Sequence, residues 1–161
     1  MEKISAAELP DKSGALQAIL FGGLLAGFLD LTAACINSGL NGISPIRVMQ
    51  AIASGLLGAE SYAGGTATAA LGVFLHFVIA FGATIIFYLA SRKLKFLTDQ
   101  AVTLGVIYGI LVYLFMSFVV LPLSSFTGKT PSALLPIAVG LIIHILFVGL
   151  PIALTVRRFA N

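Results

Sequence analysis

Four long apolar runs alternate with short polar segments along the chain. The runs cover residues 14–37, 67–91, 101–121 and 133–156. At a rise of about 1.5 Å per residue, each run is long enough to cross a hydrocarbon core of about 30 Å as a helix. A transmembrane β-barrel would need strictly alternating segments of about ten residues, and the runs lack that period. The pattern predicts an all-α membrane protein, a four-transmembrane-helix bundle forming one transmembrane domain over residues 1–161.

A shorter amphipathic segment lies between the first two runs. Ser44 is suited to cap a helix and Pro45 to begin one. The polar face of the segment carries Arg47, Gln50 and Ser54, and the opposite face carries Ile46, Met49, Ala53 and Leu56. This predicts a short outer helix over about residues 44–58 that packs across the mouth of the bundle. A purely interfacial helix that shortens a polar loop stays open as the alternative.

The first run also has features of a secretory signal peptide. Lys3 and Lys12 precede it, and it ends in LTAAC at Cys35. However, the run is long enough to span the membrane, and Asp30 interrupts it near its end. We therefore expect a first transmembrane helix. The single cysteine has no partner for an intrachain disulfide and belongs to no paired-cysteine metal motif.

Composition and charge support the membrane assignment. Apolar residues make up 59% of the chain and charged residues 9%, which is too little polar surface for a water-soluble domain. Lys and Arg concentrate in the segments that would lie on one side of the membrane, the predicted cytoplasmic side: Lys3, Lys12, Arg92, Lys93, Lys95, Arg157 and Arg158. Arg47 and Lys129 fall on the other side. The asymmetry predicts cytoplasmic N- and C-termini and explains the net charge of +3, so nothing indicates nucleic-acid binding.

Three ionisable residues interrupt the apolar runs. Asp30, His76 and His144 each lie on a stripe of glycine and alanine at helical spacing, and the third run carries Tyr113 on a comparable stripe. Small residues mark the places where membrane helices touch, so these polar groups are predicted to face the bundle interior. Each lies within about ten residues of the outer end of its run, which places all four near one level.

We therefore predict a buried polar cluster formed by Asp30, Arg47, His76, Tyr113 and His144. Arg47 or a histidine is the expected partner of the Asp30 carboxylate. Each group also has a purely structural interpretation. A membrane histidine can hold two helices in register through a neighbouring carbonyl, and an acid can form a structural ion pair.

A resemblance extends over nearly the whole chain, from about Gly22 to Arg158. It is carried by the stretches GGLLAGFLDLTAA, PIRVMQAIASGLLG, LGVFLHFVIAFG, YGILVYLFMSFVVLPLS and HILFVGLPIAL. These resemble small four-span inner-membrane proteins of bacteria that are similar to the YagU-like family. The matching positions are Asp30, Arg47, Gln50, His76, Tyr108 and His144, with breaks at Pro122 and Pro151. The resemblance implies a multi-pass protein of the bacterial inner membrane and implies no particular activity.

Three classes of function fit these residues. The first is a non-enzymatic membrane protein whose polar cluster is structural or responds to protons, with no cofactor and with membrane lipid as its partner. The second is a b-type haem-binding subunit with His76 and His144 as axial ligands. The third is an oligomeric transporter or channel protomer. A homo-oligomer or a larger membrane complex is compatible with all three.

An enzyme is not expected. The sequence contains no phosphate-binding Gly-Lys motif, no HExxH and no nucleophile turn with a matching His and Asp. It also lacks a pair of catalytic carboxylates, and no soluble segment is large enough to form a separate domain. We expect no catalytic residues and no metal ligands, apart from the two histidines under the haem alternative.

Overall fold

The computed structural model describes residues 12–128 and 132–159, and within these ranges every regular element is helical. A 3₁₀ turn at Gly58–Tyr62 follows the second helix. The helices of the described residues are α1 (Lys12–Gly39), α2 (Pro45–Leu57), α3 (Gly65–Lys93), α4 (Phe96–Asp99), α5 (Ala101–Leu123) and α6 (Leu134–Phe159). The predicted all-helical class is confirmed.

α1, α3, α5 and α6 are long and apolar enough to cross a membrane. Each corresponds to one of the four apolar runs, so the prediction of four candidate spans is confirmed. Many large apolar side chains point outward from these helices, including Phe28, Phe74 and Phe118. An apolar surface of this extent would cause association in water, whereas it suits contact with lipid. The chain is therefore a helical membrane protein.

α2 begins and ends with the residues that its sequence indicates. The Ser44 hydroxyl accepts a hydrogen bond from the Arg47 amide at 3.4 Å, and Pro45 occupies the first turn. Gly58 ends the helix with a positive φ of 61°, a conformation that glycine adopts without strain. Gly72 of α3 lies directly beneath α2, where a Cβ would overlap the carbonyl of Met49. The glycine thus lets α2 sit against α3.

The orientation of α2 differs from that of an amphipathic helix in water. Gln50 is only 3% exposed and donates from Nε2 to the Gly65 carbonyl at 3.0 Å. Ser54 is fully buried and donates to the Ala51 carbonyl. In contrast, Leu56 on the apolar face is 62% exposed. The side of α2 that packs on the bundle therefore combines residues of both faces, since Ala53 of the apolar face is also fully buried and Arg47 of the polar face is exposed.

The long helices meet at glycines. α1 packs against α3 and α6, and α6 packs against α5. A Cβ at Gly27 of α1 would lie 2.7 Å from the Phe77 ring of α3. A Cβ at Gly149 of α6 would overlap backbone atoms of Gly105 and Gly109 of α5. Such contacts allow the backbones to approach closely, which is the main source of attraction between helices in lipid.

α3 and α5 are the neighbouring helices that do not pack closely. Tyr108 of α5 joins them, since its hydroxyl donates to the Ala83 carbonyl at 2.6 Å. The Tyr108 ring also lies 4.9 Å from the Phe87 ring, measured between centroids. On the α2 side of this junction, the two helices are separated by a cavity.

α5 and α6 each contain one π-helical turn, at Met116–Val120 and Ile145–Gly149. In both helices a proline follows six residues after the turn begins, at Pro122 and Pro151. A proline has no amide hydrogen and collides with the carbonyl four residues earlier in a regular α-helix. The residue before each proline donates its amide to the carbonyl five residues back, which widens the helix at this point. The expected breaks at these prolines are thus widened turns within continuous helices.

Charge divides the described residues between the two ends of the bundle. The end opposite α2 carries exposed Arg92, Lys93, Lys95, Arg157 and Arg158. The α2 end carries Arg47. Lys3 and Lys129, which also entered the topology prediction, lie outside the described residues, as does the side chain of Lys12.

The packing of α5 on α6 generates a test at Gly149. We expect Gly149→Ala to lower the stability of the protein by about 1–3 kcal/mol, because its methyl group would displace the α5 backbone. Gly82→Ala is the matched control, since a Cβ at Gly82 meets no atom within 4 Å. Thermal unfolding in detergent, followed by circular dichroism, measures both. Equal losses of stability in the two variants would contradict the packing described above.

Candidate functional site

A cavity of about 550 Å³ lies beneath α2 and between the four long helices. Most of its lining is aliphatic. Its polar side chains are Asp30, His76, Tyr113, Ser117, Ser124 and His144. A largely apolar cavity of this size with a few polar groups is the common form of a small-molecule site. The cavity is therefore the candidate functional site.

Four of the five residues predicted for the polar cluster line this cavity. Asp30 comes from α1, His76 from α3, Tyr113 from α5 and His144 from α6. Each lies nine to eleven residues from the end of its helix that faces α2. The similar depths bring one polar group from each long helix to the same cavity.

His76 connects α3 to α1. Its Nε2 atom lies 2.9 Å from the carbonyl oxygen of Gly27 and 4.0 Å from Oδ2 of Asp30. The side chains of His76 and Asp30 are 13% and 17% exposed. On α3, the predicted stripe of small residues is buried at Ala69, Gly72 and Ala80. Gly72 packs against α2, whereas Ala80 packs against Gly27 of α1, and this second contact brings the imidazole to the α1 backbone.

His144 and Tyr113 form the opposite wall. Their rings meet edge to face, with centroids 5.3 Å apart and planes at 75°. The Tyr113 ring packs over Gly140, where a Cβ would lie 2.6 Å from it. Nδ1 of His144 lies 2.9 Å from the Gly140 carbonyl oxygen in its own helix. The glycine thus provides both the space for the tyrosine and the acceptor for the histidine.

The two histidines use different ring nitrogens. A carbonyl oxygen only accepts hydrogen bonds, so the nitrogen that faces it must carry the hydrogen. The neutral ring of His76 therefore carries its hydrogen on Nε2, and that of His144 carries it on Nδ1. This leaves Nδ1 of His76 and Nε2 of His144 as the atoms that can receive a proton or accept a hydrogen bond.

Arg47 lies away from the cavity, and its predicted place in the cluster is corrected. Its side chain is exposed, and its guanidinium carbon lies 4.4 Å from the centre of the Tyr62 ring. A cation at the end of the bundle keeps its hydration and gains a cation–π contact there. Moving it toward Asp30 would require desolvation, which is costly for an arginine. Of the two expected partners of Asp30, the structure places the histidine beside it.

Some contributors to the site carry no signal in the sequence. The Gly27 and Gly140 carbonyls hold the two imidazoles, but a backbone acceptor is present at every position and cannot be singled out by residue type. The π turn at Ile145–Gly149 begins directly after His144. Such turns often occur at functional sites, and the proline six residues downstream is the one sequence signal for it.

The chemistry of the cavity does not point to a bound metal. Within residues 12–128 and 132–159, no group of three or more His, Cys, Asp or Glu side chains is arranged to hold a metal ion.

No family model, curated protein or solved structure matches the chain. The function must therefore be argued from the geometry and chemistry of the site.

The hydrogen bonds of the two histidines predict opposite neutral tautomers. In ¹⁵N-histidine-labelled protein at a pH above about 8, where imidazole is neutral, we expect one ring protonated on Nε2 and one on Nδ1. Long-range ¹H–¹⁵N correlation spectra distinguish the two forms. Loss of the Nε2–H pattern in His76→Gln and of the Nδ1–H pattern in His144→Gln assigns them. Two rings in the same tautomer would contradict the hydrogen bonds to Gly27 and Gly140.

Proposed function

We propose that this protein is a non-enzymatic integral membrane protein in which Asp30 and His76 form a proton-responsive pair. The observation that carries the proposal is the 4.0 Å separation of Nε2 and Oδ2 on two different helices, at the wall of a membrane cavity. Protonation of one imidazole changes the interaction between α1 and α3. The cluster therefore responds to pH without catalysing a reaction.

The magnitudes support a response to protons. A neutral hydrogen bond between membrane helices contributes about 0.6 kcal/mol on average. Two unit charges 4 Å apart attract by about 4 kcal/mol at an effective dielectric constant of about 20, before the cost of desolvation. Because Nε2 of His76 already donates to Gly27, the incoming proton binds Nδ1 and converts a neutral contact with Asp30 into an ion pair.

The titratable groups that face this pair are few. The cavity lining contains Tyr113 from α5 and His144 from α6 besides Asp30 and His76 themselves. Tyrosine ordinarily titrates far above neutral pH, whereas histidine titrates between about pH 5 and 8. A response in this range is therefore assigned to a histidine, and His76 is the histidine next to a carboxylate.

The two alternative functions receive less support from the geometry. Bis-histidine ligation of haem b would use the free ring nitrogens, Nδ1 of His76 and Nε2 of His144. The hydrogen bonds of the two rings are also those of histidines that serve only helix packing, so they do not favour haem specifically. The oligomeric transporter or channel rests on glycine-rich helices and on Pro122 and Pro151. These features also serve the packing and the π turns, so they do not favour transport specifically.

We further propose the location and orientation of the chain. The resemblance to YagU-like proteins supports the bacterial inner membrane, with lipid as the surrounding partner. The cluster of arginine and lysine at the end opposite α2 supports cytoplasmic N- and C-termini. In this orientation α2 lies on the periplasmic side, over the mouth of the cavity.

The proton-responsive pair predicts a pH-dependent stability. We expect the thermal midpoint of the detergent-solubilised protein to change between about pH 5 and 8. His76→Ala and Asp30→Asn should each flatten this profile, because either change removes the ion pair. His144→Ala is the control, since its ring bonds within its own helix. A wild-type profile retained by His76→Ala would reject the proposed pair.

The orientation predicts which engineered cysteines are accessible in intact cells. In a Cys35→Ser background, Asn41→Cys at the α2 end should react with a membrane-impermeant maleimide. Gln100→Cys at the opposite end should react only after the membrane is permeabilised. Both residues are exposed, so access to the thiol is not limiting. The reverse labelling pattern would show the opposite orientation.

A further inference from the structure

The Asp30 carboxylate lines the cavity without a hydrogen-bond donor. Within the described ranges, 12–128 and 132–159, no hydrogen bond reaches either of its oxygens. The nearest charged partner, Nε2 of His76, is 4.0 Å away and donates to Gly27. A carboxylate in an apolar environment requires a donor or a counter-ion. The cavity thus contains an incompletely satisfied acidic group.

Among the described residues that line the cavity, within 12–128 and 132–159, there is no fixed positive charge to satisfy this group. Neither lysine nor arginine occurs among them, and Asp30 is their single acidic residue. Arg47, which lies at this end of the bundle, contacts Tyr62 instead. Charge complementarity therefore selects a positively charged ligand.

The remaining walls select an apolar body. Val78 and Ile79 of α3 face Val112, Val120 and Leu121 of α5 across the cavity. The Tyr113 ring on the opposite wall of the same cavity adds an aromatic surface, which is favourable for a cation. The volume of about 550 Å³ lies within the range of small-molecule sites. A ligand that matches both the Asp30 carboxylate and the apolar walls is an organic cation with a hydrophobic body.

The cavity opens toward the bilayer. Val78 and Ile79 of α3 line it and are 50% and 39% exposed. α3 and α5 do not pack closely here, and the Tyr108 junction lies on the far side of the cavity from α2. The opening is therefore between these two helices, at the lipid-facing surface, where a membrane-soluble molecule can enter.

We infer that the cavity binds a lipophilic organic cation, whose positive group pairs with Asp30 and whose apolar body lies between α3 and α5. This inference goes beyond the proton-responsive pair and does not rest on it, since binding at fixed pH requires only the carboxylate. Ligand binding and the pH profile of stability can consequently fail independently.

Two probes of the same shape and opposite charge test the inference. Tetraphenylphosphonium and tetraphenylborate are equilibrated by dialysis with the purified full-length protein in detergent at fixed pH. We expect saturable binding of the cation and at least about tenfold weaker binding of the anion, because only the cation is attracted to Asp30. Equal binding of both ions, tighter binding of the anion, or no saturable binding of the cation would overturn the inference.

Matched variants then locate the site. Asp30→Asn should weaken cation binding at least about tenfold, whereas Asp30→Glu should retain most of it. Ser117→Phe keeps the carboxylate but fills the cavity, and it should also weaken binding. Asp99→Asn removes an exposed acid at the other end of the bundle and should have no effect. Thermal unfolding and gel filtration verify that each variant is folded.

These variants leave a definite outcome in each case. Cation binding by folded Asp30→Asn at wild-type strength would overturn the inference. If Asp30→Asn does not fold, the comparison of the two ions and the Ser117→Phe variant decide. Intact cation binding with a flat pH profile of stability would reject the proton-responsive pair and support the ligand site. A pH-dependent stability without saturable cation binding would support the pair and reject the ligand site.

Discussion

The close approach of α1 and α3 at Gly27 determines where the polar groups of the cavity lie. Without a side chain at this position, the Phe77 ring and Ala80 of α3 pack directly against the α1 backbone. The same approach brings Nε2 of His76 to the Gly27 carbonyl at 2.9 Å. Asp30 follows Gly27 by one helical turn, so its carboxylate lies beside the imidazole. A larger side chain at Gly27 would separate α1 from α3, and Asp30 would then no longer lie beside His76.

A second close contact, between α5 and α6, forms the opposite wall. It relies on Gly105, Gly109 and Gly149 for backbone approach and on Gly140 for the Tyr113 ring. Since α1 joins α3 to α6, and α6 joins α5, the bundle closes on three sides. The fourth side, between α3 and α5, is held by Tyr108 alone among the contacts described above. The cavity is thus a consequence of strong packing elsewhere, and it exposes the polar groups to a membrane-facing opening.

The sequence predicted the spans well because length and apolarity are sufficient for a helix in lipid. It also predicted that His76 points inward, because small residues surround it at helical spacing. It did not predict the orientation of α2, where Gln50 and Ser54 are buried and Leu56 is exposed. Amphipathicity indicates the packed face only when the other side meets water. Arg47 was misplaced for a related reason, because its ionic attraction to Asp30 was considered without the desolvation that pairing requires.

Asp30 separates a structural interpretation of the cluster from a functional one. The hydrogen bond from His76 to Gly27 is sufficient to hold α1 against α3, and it is formed without the carboxylate. An ionised aspartate within a membrane helix is costly to insert, although less so near the end of the helix, where Asp30 lies, than at its centre. Asparagine would fit the same space at a lower cost. A helix contact therefore explains the histidine but not the acid, and the negative charge is the feature on which both proposals for the cavity depend.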